Sequence, residues 1–114
     1  MKAHYYELVY DLTCCIPEGR VTTYGAIADY LALGSARMVG WALNRSLQTQ
    51  QIPAHRVVNR KGELSGRNHF ASPDLMQRLL ESEGIVVEDN RVVDFAEKFW
   101  HPASLVQEAI LQEI

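Results

Sequence analysis

Arg37, Trp41, Asn44 and Arg45 stand at i, i+4, i+7 and i+8 of a stretch with helical periodicity. Two guanidiniums, an amide and an indole therefore share one face. An exposed indole among cations is an expensive surface unless something binds it. The surrounding charge is lopsided in the same sense. The window 36–67 carries Arg37, Arg45, Arg56, Arg60, Lys61 and Arg67 against Glu63 alone, a balance of +5 in a chain of net charge −3. Residues 1–80 hold nine Lys and Arg against six Asp and Glu, and residues 81–114 hold two against eight. Phosphates feel charge within a screening length of roughly 8–10 Å, so a local excess counts for more than the overall sign. Composition alone still favours a merely solvated basic surface. The elements that carry these residues must decide.

The other side chains with reactive chemistry are sparse. Cys14 and Cys15 are sequence neighbours, a spacing that fits neither a disulfide framework nor a C-x-x-C signature. On a helix they point about 100° apart, which predicts at least one of them in the core. His4, His69 and His101 lack metal-ligand spacing, so neither a metal nor another cofactor is expected.

Periodicity supplies the framework. Tyr5, Leu8, Val9 and Leu12 form a 3.6-residue stripe that predicts a helix from His4 to Cys15, stopped by Ile16-Pro17. A turn at Pro17–Arg20 leads to Thr22 or Thr23, either of which can cap a second helix with Ile27, Ala28 and Leu31 inward. Leu33-Gly34-Ser35 ends it, and Ser35 caps a third helix over about 36–46 with Val39, Ala42 and Leu43 buried. Two short helices across a tight Gly-containing turn, the second basic on its outer face, read as a helix-turn-helix. Val57-Val58, the turn Asn59–Gly62 and Glu63–Ser65 suit a short β-ribbon or wing. Pro73 starts a fourth helix with Leu75, Leu79 and Leu80 inward, ending near Gly84. Ile85–Val87 and Arg91–Val93 predict a hairpin, and Ser104 caps a last helix through Leu105, Val106, Ala109 and Ile110, read as a tail docked on the core. The fold class is α+β, mainly helical, a winged helix-turn-helix-like domain. At 114 residues it reads as one domain over 1–114, with 95–114 a C-terminal extension. No apolar run approaches the roughly 20 residues that span a bilayer, and the N-terminus shows no secretory core. A cytoplasmic monomer without a membrane partner is the expectation.

Four separated segments carry a resemblance. Gly19-Arg20-Val21-Thr22-Thr23-Tyr24-Gly25-Ala26-Ile27-Ala28, Ala36-Arg37-Met38-Val39-Gly40, Ile52-Pro53-Ala54-His55-Arg56-Val57-Val58, and Gly62-Glu63-Leu64-Ser65-Gly66 with Leu80-Glu81-Ser82-Glu83-Gly84 follow in order and spacing. They resemble the DNA-binding domain of O6-alkylguanine-DNA alkyltransferases, the methylated-DNA–protein-cysteine methyltransferases, over about residues 4–87. The third segment stands where that family has Pro-Cys-His-Arg-Val, so Ala54 occupies the place of the reactive cysteine. With Arg67 shortly after the wing, the chain resembles the alkyltransferase-like subgroup, which keeps the framework and replaces the cysteine. The N-terminal domain that precedes this one in full-length enzymes has no counterpart here.

The resemblance implies roles. The family's reaction needs a low-pKa thiolate with a His as base and a carboxylate behind it. His55 and Glu83 match that relay, but Ala54 offers only a methyl group, so no catalytic residue is expected. Tyr24 would press on the phosphate beside a flipped base, Arg37 would fill the vacated stack, and Gly40 would let the helix approach the backbone in the minor groove. Trp41 either contacts DNA or packs under a neighbouring loop. Ala54, the Val57 backbone, Ser65 and Arg67 would line the lesion pocket, with Arg67 lying against the flipped base or, alternatively, on a phosphate. Arg56, Arg60 and Lys61 read as structural or phosphate contacts.

The implied partner is double-stranded DNA containing O6-alkylguanine, and the implied function is a non-enzymatic sensor that hands the site to the nucleotide-excision repair machinery. One alternative is a dealkylase using water at His55 or a transferase with an unexpected acceptor. A further alternative is a general winged-helix regulator without damage preference.

Overall fold

The computed structural model describes residues 4–49 and 51–107. Helix α1, His4–Cys14, packs Val9 and Leu12 into the core, but Leu8, expected on the same stripe, is 51 % exposed. The buried face instead runs through Thr13, whose hydroxyl donates to the Val9 carbonyl at 2.7 Å, to Ile16. With those inward positions filled, Cys14 and Cys15 are both exposed, against the expectation that one would be core.

Thr23 is the cap that starts α2, Tyr24–Tyr30: its hydroxyl accepts from the Ala26 N–H at 3.0 Å. The helix ends earlier than Gly34. Ala32 adopts the left-handed conformation (φ 56°), and the Leu33 N–H reaches the Ala28 carbonyl at 2.8 Å while that of Ala32 reaches Asp29 at 3.2 Å. This pair of bonds closes the helix as a glycine would, with an alanine strained by about 1 kcal/mol in its place. The third helix, α3, runs over Ala36–Thr49, beyond the predicted stop at Ser46. Ser46 satisfies itself on the Leu43 carbonyl at 2.6 Å, and the half-buried Leu47 extends the apolar face. Val39, Ala42 and Leu43 are buried as the periodicity predicts.

The predicted ribbon after Val58 is not the pairing that forms. β1 (Thr22–Thr23) pairs in parallel with β2 (Val57–Val58), and Glu63 bridges to Arg91. The alternation of β2 sends Val57 into the helical core and Val58 into a second cluster with Val21, Leu64, Met76, Leu80, Ile85, Val87 and Val92. Helix α4, Leu75–Ser82, feeds that cluster through Met76 and Leu80, whereas Leu75 and Leu79 are only half-buried. Gly84, at φ +87°, terminates it as the sequence suggests. β3 (Val87–Glu88) and β4 (Arg91–Val92) form the expected antiparallel hairpin, with Asp89 and Asn90 both at positive φ in the tight turn.

A short helix, α5 (Phe95–Lys98), was not predicted. It brings the chain back beside β1: the Val21 N–H donates to the Lys98 carbonyl at 3.0 Å and the Trp100 N–H to the Val21 carbonyl at 2.7 Å. Trp100 is buried in the helical core, so this segment is integral to the fold. Residues 104–107 are helical, whereas the Ala109 and Ile110 positions of the last predicted helix lie outside the described residues. The architecture is α+β and mainly helical, with α2 and α3 packed as the helix-turn-helix. Among the described residues no helix is long and apolar enough to cross a membrane.

Candidate nucleic-acid interface

The outer face of α3 forms one wall of a cleft of about 410 Å3 lined by Tyr24, Ala36, Arg37, Gly40, Trp41 and Asn44. The structure thus brings together Tyr24, Arg37, Gly40 and Trp41, which the sequence singled out on two different helices. Trp41 is 55 % exposed. Asn44 lies 3.4 Å from His69 Nε2, which ties α3 to the 3-10 turn Arg67–His69.

A second cleft of about 460 Å3 shares Tyr24 and Ala36 with the first and adds Gly25, Asn59, Arg60, Lys61 and Glu63. The two clefts adjoin at Tyr24 and Ala36, on the surface between α3 and the turn at Asn59–Gly62. Asn59 builds that turn, accepting through Oδ1 from the Lys61 and Glu63 N–H groups at 2.9 Å each. Its amide also donates to Glu63 Oε1 at 2.8 Å. Hydrogen bonds from Asn59 and Arg91 hold the Glu63 carboxyl below the usual carboxylate range. Arg60 and Lys61 are exposed above it.

Tyr24 reaches from α2 over the Ser65-Gly66 backbone. Burial pushes its phenol above the ordinary tyrosine value, opposed by a hydrogen bond with Ser65, so it stays a neutral O–H donor at physiological pH. A Cβ placed on Gly66 would sit 2.7 Å from the Tyr24 hydroxyl. Because Gly66 has an ordinary φ of −90°, the need for glycine there is purely steric. Gly66→Ala is expected to displace the phenol and weaken duplex binding several-fold while lowering stability by less than about 1 kcal/mol. Parallel DNA titration and urea unfolding check it, and unchanged binding would show that Tyr24 is not needed in this position.

Behind the clefts, Ala54 opens a 3-10 turn, Ala54–Arg56, with its methyl group 6 % exposed in the helical core. His55 Nε2 lies 2.6 Å from Glu83 Oε2. Arg56 donates to the same carboxylate through Nε at 3.0 and 3.1 Å and through Nη2 at 2.8 Å, while its Nη1 donates to the Ile16 carbonyl at 2.9 Å. The Gly19 N–H adds a bond to Glu83 Oε1 at 3.0 Å. Burial works to raise the Glu83 pKa, but the bonds from Arg56, His55 and Gly19 outweigh it and hold the carboxyl at about 2. The sequence identified His55 and Glu83 and left Arg56 between two roles; the structure makes it structural. Gly19 was missed, although a positive-φ glycine in a turn (φ +82°) was the available signal.

The four residues expected around a lesion differ in their surroundings, and Ala54 is buried as described. Val57 is fully buried and Ser65 is exposed beside Tyr24. Arg67 is half-buried and lines a separate cleft of about 300 Å3 with Leu64, Asn68, Pro73, Asp74, Gln77 and Asn90. Arg67 has no side-chain partner among the described residues, so its guanidinium is free to reorient. No group of three or more His, Cys, Asp and Glu among those residues could hold a metal ion.

Residues 4–85 match the family model described as 6-O-methylguanine DNA methyltransferase, DNA binding domain. The chain belongs to this family. Among its relatives, Alkyltransferase-like protein 1 of Schizosaccharomyces pombe is 36 % identical over 103 residues, covering 86 % of this chain and 95 % of the relative. The DNA base-flipping protein of Escherichia coli K12 is 36 % identical over 98 residues, covering 83 % of this chain and 73 % of the relative. The fold matches a crystal structure of S. pombe Atl1 in complex with damaged DNA containing O6-carboxymethylguanine. That match has a TM-score of 0.77 at 35 % identity, covering 86 % of this chain and 95 % of the other. The similarity thus spans most of this chain and nearly all of the S. pombe protein, in sequence and in fold.

Proposed function

We propose that this chain recognises O6-alkylguanine in duplex DNA, turns the nucleotide out of the stack and holds it without transferring the alkyl group. The observation that carries this reading is the pair of clefts adjoining at Tyr24 and Ala36, one lined by Arg37, Gly40 and Trp41 and the other by the exposed Arg60 and Lys61. It combines a planar cation that can fill a vacated stack, a neutral phenol, and exposed positive charge for phosphates. The relatives' names and the damaged-DNA complex support the same reading.

The non-enzymatic part rests on Ala54. A methyl group has no lone pair to attack an alkyl carbon, and neither exposed cysteine lies on the element that carries His55. Glu83 is held side-on by Nε and Nη2 of Arg56, so its charge supports the arginine as well as His55, which argues for a structural knot over a water-activating relay. Ser65 and Arg67 would read the extruded base after Arg67 swings from its own cleft, and handover to nucleotide-excision repair belongs to the same proposal.

Two duplexes differing by one O6-methyl group test it, titrated side by side with the alkyl carbon labelled. The expected result is tighter binding of the modified duplex with all label still on intact DNA. Equal affinity would sink the recognition reading. Label appearing on protein or in solution would make the chain an enzyme.

A further inference from the structure

Trp41 is a second planar group on the α3 face, one turn beyond Arg37, and the flipping step does not use it. It is 55 % exposed, whereas the chain's other tryptophan, Trp100, is 9 % exposed. It lines the same cleft as Tyr24, Arg37 and Asn44. Its indole N–H has no partner among the described residues. Next to it, a Cβ built on Gly40 would meet nothing within 4 Å. The helix therefore presents bare backbone beside a projecting aromatic plate.

A DNA minor groove is about 6 Å wide, too narrow for an indole on a closely approaching helix unless the groove opens. Apolar side chains open it by entering between base pairs and kinking the step. Positions i and i+4 lie about 6 Å apart along a helix, and stacked base pairs about 3.4 Å apart. With Arg37 in one gap, Trp41 comes close to two steps away. We propose that Trp41 is a second wedge, which unstacks a base step beside the flipped nucleotide so that one helix opens the duplex at two points. Stacking of the indole on the exposed base face offsets part of the unstacking, and its N–H can donate to the acceptors on A·T edges. Flexible pyrimidine–purine steps at that distance from the lesion are then favoured contexts.

The proposal rests on the reading that α3 enters lesion-bearing DNA, and its test separates the two. An O6-methylguanine duplex carries 2-aminopurine two steps from the lesion and is titrated with the wild-type chain, Trp41→Phe and Trp41→Ala, beside an unmodified duplex. The wild type and Trp41→Phe should brighten the probe, and Trp41→Ala should not. Trp41→Ala should also bind the lesion duplex about tenfold more weakly. Iodide should quench the exposed Trp41 in the free protein and lose that effect in the complex, while Trp100 stays protected throughout. A probe that stays dark with the wild type, brightens equally with Trp41→Ala, or leaves Trp41 open to iodide at saturation overturns the wedge. Equal affinity of the wild type for modified and unmodified duplexes instead overturns lesion recognition.

Discussion

Arg37→Ala is expected to weaken binding to an O6-methylguanine duplex by roughly 30- to 100-fold, while binding to unmodified duplex falls only a few-fold. Extruding a nucleotide costs a few kcal/mol in lost stacking, and the group that occupies the gap offsets part of that. Losing the occupant returns about 2–3 kcal/mol to the cost of the flipped state alone. Unmodified duplex feels only the loss of one cation near phosphates. Arg37→Lys separates the two effects, since it keeps the charge and loses the plane. It should retain ordinary duplex binding yet fail to raise the fluorescence of 2-aminopurine set at the flipping position. Unchanged fluorescence in both variants would remove Arg37 from the flipping step.

Glu83→Ala should destabilise the fold by about 3–5 kcal/mol, because it leaves the Arg56 guanidinium buried against no counter-charge. The Glu83 side chain is only 8 % exposed and accepts from Gly19, His55 and Arg56 together. Burial alone would raise its pKa from 4.5, yet Arg56, His55 and Gly19 bring it to about 2. A folded-state pKa below the unfolded one means that ionised Glu83 stabilises the fold fully above about pH 4.5 and progressively less as pH falls toward 2. A shift of that size corresponds to roughly 3 kcal/mol. Urea midpoints measured at pH 7 and pH 3 should therefore converge between the wild type and Glu83→Ala as the medium becomes acidic. Parallel curves separated by a constant amount would show that the knot does not depend on this charge.

What the sequence disclosed, and what it withheld, follows from the range of the interactions involved. Thr23 as a cap, Gly84 as a stop and the buried triad Val39, Ala42 and Leu43 were legible because each is decided within a turn or two of helix. Arg37 and Trp41 could be placed on one face for the same reason. The pairing of β2 was misread because Val57-Val58 carries no mark of a partner, and the parallel neighbour that won was Thr22-Thr23, far upstream. Leu8 failed for a different reason. Its position fits a helical stripe, but Thr13 turns inward by bonding the Val9 carbonyl, and the face rotates with it. Helix α5 was invisible because four residues contain too little periodicity to register. Arg67 shows what a sequence leaves open at a site: its type and place in the chain suggested a base reader, while the cleft it lines with Gln77 and Asn90 depends on distant elements.

The return of the chain beside β1 also bears on how the molecule assembles. The Arg20 guanidinium bonds the Glu97 carbonyl across a separation of 77 residues, and the neighbouring Val21 is bridged by Phe99. The segment that bears Arg60 and Lys61 is pinned from the same late part of the chain, through the Leu64 N–H on the Asn90 carbonyl at 3.0 Å and the Val92 N–H on Gly62 at 2.9 Å. Helices α1 to α3 make mostly local contacts and can dock early, as local contacts do. The turn that bears Arg60 and Lys61 waits for residues 90–92, which are made later. A nascent chain arrested near residue 85 would hold helices α1 to α3 beside a basic turn that lacks both of those late bonds. The helical half and the basic turn are thus expected to form at different moments of synthesis.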